Sequence, residues 1–210
     1  MGLLWLFFEN PIGFLVLVPL LLYSVILHEI AHGWVASLFG DNTAKYAGRL
    51  SLNPGVHLDL IGTLALLFVG FGWAKPVPVD YRQLSNSRWA MIAVSLAGVA
   101  TNILIATLAI FLLQFQVFKG SLLFAPILSI AAEINIILGS FNLIPIPPLD
   151  GSRVLMEFLP YEAKYQLARL EPFGFFIIII LLMTGILDSV IIFIRTTILR
   201  LIELLLGFMG

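Results

Sequence analysis

The chain has 210 residues, of which 60% are hydrophobic and only 11% charged, with a formal net charge of −1 and no cysteine. A soluble globular chain carries about 25% charged residues, so most of this one must face lipid or other membrane helices. Near-neutrality leaves no field for nucleic acid, and the missing cysteines exclude disulfides, thiolate catalysis and thiolate metal sites; any metal must be held by histidine and carboxylate.

Met1 to Pro11 contain no Lys or Arg, and the apolar run that follows holds a polar motif where a signal peptide would hold a cleavage site. It is therefore expected to be a retained span. This first run, about Ile12 to Phe39, is long enough for a tilted transmembrane helix, and Gly40-Asp41-Asn42 ends it. The loop to His57 carries Lys45, Arg49 and the turn signal Asn53-Pro54-Gly55, with His57 expected to be solvated. A second run, about Leu58 to Trp73, is short for a crossing and closes on Gly70-Phe71-Gly72-Trp73. Lys75-Pro76-Val77-Pro78-Val79 cannot be helical, because each proline pushes its predecessor toward extended geometry.

The third run, about Trp89 to Phe118, is a full span, and Lys119-Gly120 connects it to the fourth, about Leu122 to Leu143. Ile144-Pro145-Ile146-Pro147-Pro148-Leu149-Asp150-Gly151 terminates that helix and ends in an acidic turn. Ser152 to Glu171 is expected to form an amphipathic interfacial helix, followed by a fifth apolar run, Pro172 to Leu187. The last run, Val190 to Phe208, puts Arg195, Arg200 and Glu203 on one side of a helical wheel, as a surface-lying helix or a span facing partners would. The longest moderately polar stretch, Ile146 to Glu171, is too short for a soluble domain. The expected fold is an all-α polytopic membrane protein of about five to six transmembrane helices with one short re-entrant or extended segment. It forms a single domain over residues 1–210, with a core near 12–151 and C-terminal helices near 152–210.

Basic residues set the orientation. If the run from Leu58 to Trp73 dips in and returns, then Lys45, Arg49, Lys75, Arg82, Arg88, Arg153, Lys164 and Arg169 all fall on the cytoplasmic side of a prokaryotic plasma membrane. Lys119 alone then lies outside. That arrangement places the end of the first span and the Pro145–Gly151 stretch on the same, cytoplasmic side.

The first span contains His28-Glu29-Ile30-Ala31-His32. Residues four apart share a helix face, so both imidazoles can aim at one zinc ion, and Glu29 is placed to take a proton from water activated there. Charged groups at membrane depth cost roughly 2.5–3.5 kcal/mol each on insertion scales and mark function. A third ligand is needed, and Asp41, Asp59, Asp80, Glu133, Asp150 and Glu157 are candidates. Asp150 has the most suitable setting: prolines force the chain to unwind beside it, and Gly151 permits a tight turn. Glu133 and Asn135, also polar within a span, are expected to be a hydrogen-bonded pair or to sit near the outer interface. Trp5, Trp34, Trp73 and Trp89 suit interfacial anchoring, and Arg195, Arg200 and Glu203 are expected to face headgroups.

On His28–His32 and on Asn142-Leu143-Ile144-Pro145-Ile146-Pro147-Pro148-Leu149-Asp150-Gly151, the chain resembles the site-2 protease family of intramembrane metalloproteases. These stretches are similar to its H-E-x-x-H and N-x-x-P-x-P-x-L-D-G signatures. A weaker family motif, A-G-P-x-x-N, is matched by Ala97-Gly98-Val99-Ala100-Thr101-Asn102 except that Val99 replaces proline. The resemblance implies a compact prokaryotic zinc protease without PDZ or CBS modules. It implies metal ligands His28, His32 and Asp150, general base Glu29, and Asn142 holding the scissile carbonyl or its oxyanion. Its partners would be transmembrane protein substrates and membrane lipids. Two other classes share the motif: a membrane protein that binds metal or substrate without cutting, and a metal-dependent hydrolase of lipids or small amides.

Overall fold

The computed structural model describes residues 2–70, 72–84 and 87–207. Phe71 in the second run and Phe208 at the expected end of the last lie outside the described residues. A short helix, α1 (Leu3–Glu9), precedes the long α2 (Pro11–Leu38). Pro11 needs no N–H partner in a first turn, and the Asn10 side chain accepts from the Gly13 N–H at 2.9 Å, so α2 starts there. Its 28 residues rise about 42 Å, enough to cross a bilayer at a tilt.

The second run is a ten-residue helix, α3 (Leu60–Val69), capped by Asp59, whose Oδ1 accepts from Gly62 N–H at 2.8 Å, and closed by Gly70 at φ 87°. At about 15 Å it covers half of a hydrocarbon core. Its flanks meet: Leu58 and Ala74 form an antiparallel bridge, and Lys75 N–H donates to the His57 carbonyl at 2.7 Å. The chain therefore leaves and returns at one level, as a re-entrant segment does. Residues 75–79 are extended, as the prolines require.

Then come α4 (Arg88–Leu112), capped by Ser87, and α5 (Phe124–Asn142), joined through a single turn at Gln116–Lys119. These two pack closely on each other and on α2 through small residues, among them Ala97, Gly98, Ala106, Ala109, Ala131, Ala132 and Gly139. Small residues let helix backbones approach where lipid gives no hydrophobic drive for association. After the proline stretch follow α6 (Asp150–Met156), α7 (Tyr161–Ala168), α8 (Gly174–Met183) and α9 (Ile186–Leu205). The amphipathic helix expected over 152–171 is thus two helices, split where Pro160 forces Leu159 out of helical geometry.

Four segments are long and apolar enough to cross a membrane: Pro11–Leu38, Arg88–Leu112, Phe124–Asn142 and Tyr161–Met183. The sequence suggested five to six. α3 is too short, α9 carries charges, and Tyr161–Met183 is interrupted by a 3-10 turn at Glu171–Phe173. The all-α polytopic membrane architecture stands.

His57 corrects its expectation. It is fully buried, its Nε2–H donating to the Ser51 carbonyl at 2.7 Å, because the basic loop folds back on the chain at residue 75, where Arg49 Nη2 also donates to the Lys75 carbonyl at 2.7 Å. Arg195 is likewise not a simple headgroup residue: it pairs with Glu133 on α5.

Candidate metal centre

His28 and His32 lie one turn apart on α2, and both are buried against α4. Their Nε2 atoms are 3.1 Å apart, and Asp150 Oδ2, at the first residue of α6, lies 3.2 Å from one and 3.3 Å from the other. A tetrahedral ion bound at about 2.0–2.1 Å spaces its ligand atoms about 3.3 Å apart, so the triangle has the size such an ion needs. Gly151 makes Asp150's position possible: a Cβ there would lie 2.2 Å from the Leu143 carbonyl oxygen, against which the turn folds.

Hydrogen bonds fix which nitrogen of each ring faces inward. His32 Nδ1 lies 2.7 Å from the Val94 carbonyl, an acceptor only, so Nδ1 carries the proton. The His28 assignment runs through a buried chain. Asn135 Nδ2 donates to the Ala131 carbonyl at 2.8 Å and to Ser24 Oγ at 2.9 Å, which fixes its amide orientation. Its Oδ1 therefore accepts from Asn102 Nδ2 at 2.8 Å, and Asn102 Oδ1 is left facing His28 Nδ1 at 2.6 Å. That nitrogen is again the donor. With Nδ1 turned to these acceptors in both rings, both Nε2 atoms face Asp150 Oδ2, which is buried. Three metal-ligating atoms converging in this way could hold a cation. A ligating histidine commonly donates its second nitrogen in this way.

Gly98 makes room for the pair. A Cβ at this position would lie 2.5 Å from Nε2 of both rings and from Cε1 of His28. The space a side chain would fill at Gly98 is thus taken by the two imidazole rings.

Glu29 lies beside the triangle, half-buried, its Oε2 accepting from the Val77 N–H at 2.8 Å. The extended segment thus holds the carboxylate. Pro76 and Pro78 have no N–H, and that of Val77 is taken by Glu29. A cavity of about 290 Å³ opens here, lined by His28, Glu29, His32, Asn142 and Asp150 together with Val77, Tyr81 and Arg153. Asn142 donates one amide N–H to the Leu138 carbonyl at 3.0 Å. Tyr81 and Arg153 carried no sequence signal; here the guanidinium sits over the phenol ring, 4.5 Å from its centroid, and pairs with Glu171 at 2.7 Å.

The other acidic candidates have different partners. Asp41 is buried, accepting from Thr43 and Asp80 N–H at 2.9 and 2.7 Å; Asp59 caps α3. Asp80 pairs with Arg82, Glu157 with Lys164 and Glu133 with Arg195. Among the described residues His28, His32 and Asp150 form the metal-competent group. Asn135, expected to pair with Glu133 or to sit near the outer interface, is instead fully buried and joins Asn102 and Ser24.

The profile of peptidase family M50 matches residues 116–185, which include Asp150. YwhC of Bacillus subtilis, a zinc metalloprotease by name, is 40% identical over 175 residues, covering 80% of each chain. The chain belongs to peptidase family M50, the site-2 protease family. Rip2 of Mycolicibacterium smegmatis is 34% identical over 174 residues, covering 78% of this chain and 64% of Rip2. MJ0392 of Methanocaldococcus jannaschii is 28% identical over 157 residues, covering 75% of this chain and 38% of MJ0392. Both also bear the name zinc metalloprotease. No solved structure matches the chain. Family and relatives make this M50 member a zinc metalloprotease, and the ligand-to-ligand distances of its His-His-Asp triangle are those zinc requires.

Proposed function

We propose that this M50 member hydrolyses peptide bonds in or near transmembrane segments of other membrane proteins, from the cytoplasmic side of a prokaryotic plasma membrane. The carrying observation is the triangle of His28, His32 and Asp150 with Glu29 beside it, its two histidines on a membrane-spanning helix. The cytoplasmic placement follows from the basic loops, which gather on one side once the ends of the second run meet at Leu58 and Ala74.

His28, His32 and Asp150 would hold Zn²⁺. Bound there, zinc supplies Lewis-acid polarisation of the scissile carbonyl and lowers the pKa of water from 15.7 toward about 7. Glu29, with one carboxylate oxygen held by Val77, uses the other to take a proton as water adds to the carbonyl carbon. It returns that proton to the amine as the C–N bond breaks. Asn142 has a second amide hydrogen for the developing oxyanion; removing one such donor from a hydrolase costs about 10²–10³ in kcat. A helical substrate must unwind first, because its amides are closed in hydrogen bonds, and the cavity beside residues 75–79 is where extended backbone would lie.

The test is zinc content and cleavage of model transmembrane substrates by wild type and Glu29→Gln. Cleavage abolished with zinc retained is expected. Wild-type protein that holds zinc but cuts no membrane peptide, while binding it, would favour the non-cutting reading; activity confined to lipids or small amides would favour the other hydrolase.

A further inference from the structure

The Glu133–Arg195 ion pair sits where a lone chain should not expose one. Glu133 is the tenth of nineteen residues in α5, half-way through a membrane-spanning helix. Arg195 Nη2 lies 2.9 Å from each of its oxygens and Nε 3.2 Å from one, yet the two side chains keep 47% and 38% of their surface exposed. α9 is held against the bundle: Leu187 packs with Ile144 and Leu149 beside the metal centre, and Ile198 and Ile202 pack with Ala106 of α4 and Ile136 of α5, so the helix runs alongside them.

Thr196, Arg200 and Glu203 continue the stripe that Arg195 begins. At 3.6 residues per turn the four span an arc of about 140°, beside the buried face of Leu187, Ile194, Ile198 and Ile202. Arg200 and Glu203 are exposed and have no ion pair among the described residues. The exposed Glu133–Arg195 pair, half-way along α5, is costly against lipid, where charge is normally turned toward protein or water. The stripe is also neutral as a set: Glu133 and Glu203 balance Arg195 and Arg200.

We propose that this face of α9, together with Glu133, is the surface through which two copies of the chain pair side by side in the membrane. A two-fold axis along the membrane normal would set the two α9 helices parallel. Arg200 of one copy then faces Glu203 of the other, offset by about 4.5 Å along the axis, within reach of both side chains. The contact occurs twice, and each copy covers the other's Glu133–Arg195 pair. A different partner would have to bring its own compensating charges; a second copy already carries them. The pairing is independent of whether the metal centre cuts peptides.

The chain lacks cysteine, so single cysteines report on this face cleanly. In native membranes, Ile192→Cys and Thr196→Cys, on the stripe, are expected to give oxidative dimers several-fold more readily than Thr197→Cys and Leu201→Cys, which point away. Arg200→Glu should abolish dimers of the Thr196→Cys chain, and Arg200→Glu combined with Glu203→Arg should restore them. Equal yields at all four cysteine positions, absence of dimers, or adducts to a protein of different mass would each overturn the proposal. If the charge variants do not accumulate, the cysteine scan decides alone.

Discussion

Asn102 Oδ1 lies 2.6 Å from Nδ1 of His28, and it faces that nitrogen because Asn135 has already claimed the amide's other end. A histidine that binds metal through Nε2 must keep its proton on Nδ1, so the buried asparagine chain selects the tautomer and aims the ring. Asn102→Ala should therefore lower zinc affinity by about 10–100-fold, the range for such supporting contacts. Asn135→Ala should have a smaller effect in the same direction. Competition with a chromophoric chelator measures both, and unchanged affinity in both variants would show that the chain only fills space.

Gly98→Ala tests the space in front of the rings. The added methyl would lie 2.5 Å from both Nε2 atoms, on α4, which is packed against α2 and cannot withdraw freely. Overpacking of this kind costs roughly 1–3 kcal/mol, and here the groups that must yield are the proposed metal ligands. Zinc content should fall sharply while the spans remain inserted, read by metal analysis alongside circular dichroism. Full zinc occupancy in this variant would contradict the assignment.

The sequence displayed the spans well, because a crossing helix needs about twenty apolar residues and little else does. The convergence of the candidate ligands His28, His32 and Asp150 was legible for a related reason: polar groups stand out against an apolar background, and the spacing of the two histidines encodes a shared face. The structure adds what depends on contacts between distant residues. Glu133 meets Arg195 across 62 positions, and Val77 meets Glu29 across 48. Neither partner's neighbours announce it. His57 followed a turn signal in a basic loop and still ended buried, since loop closure onto residue 75 is a tertiary event. The split at Pro160 was readable from the proline but was outweighed by the amphipathic pattern on both sides of it.

Val77→Pro removes the N–H that holds Glu29 Oε2 while suiting a backbone that is already extended. Misplacing a reacting group by about 1 Å can cost about 10²-fold in rate. Cleavage should fall toward that extent with zinc retained, since no metal ligand is touched. Val77→Ala, which keeps the N–H, should stay near wild type; equal losses in both would point to packing instead.

Tyr81 reports on the charge of the cavity. Burial pushes its phenol above the ordinary value, Arg153 pulls it back, and Asp150, Glu171 and Glu29 push it up further. A phenol raised in the folded state contributes stability that is fully present below its unfolded pKa of about 10 and is lost as pH rises through the folded value. Ultraviolet titration should show one tyrosine ionising above the others, absent in Tyr81→Phe. That variant should lose this high-pH contribution and be indistinguishable in pH dependence near neutrality.

Metal removal should loosen one particular joint. Asp150 meets α2 at His28 and His32. Without a cation only a proton taken up on an Nε2 can bridge the Asp150 carboxylate to the rings at 3.2 and 3.3 Å, and one shared proton ties three groups together less firmly than a divalent ion. Chelation should therefore raise amide exchange over residues 144–156 and leave α4 and α5, which pack independently of the metal, protected. Restoring free zinc to a hundredfold above its Kd should return about 2.7 kcal/mol of stability. Asp150→Ala should resemble the chelated protein with zinc present. If exchange over 144–156 ignores both chelator and substitution, Asp150 is held by its turn alone and the metal does not join it to α2.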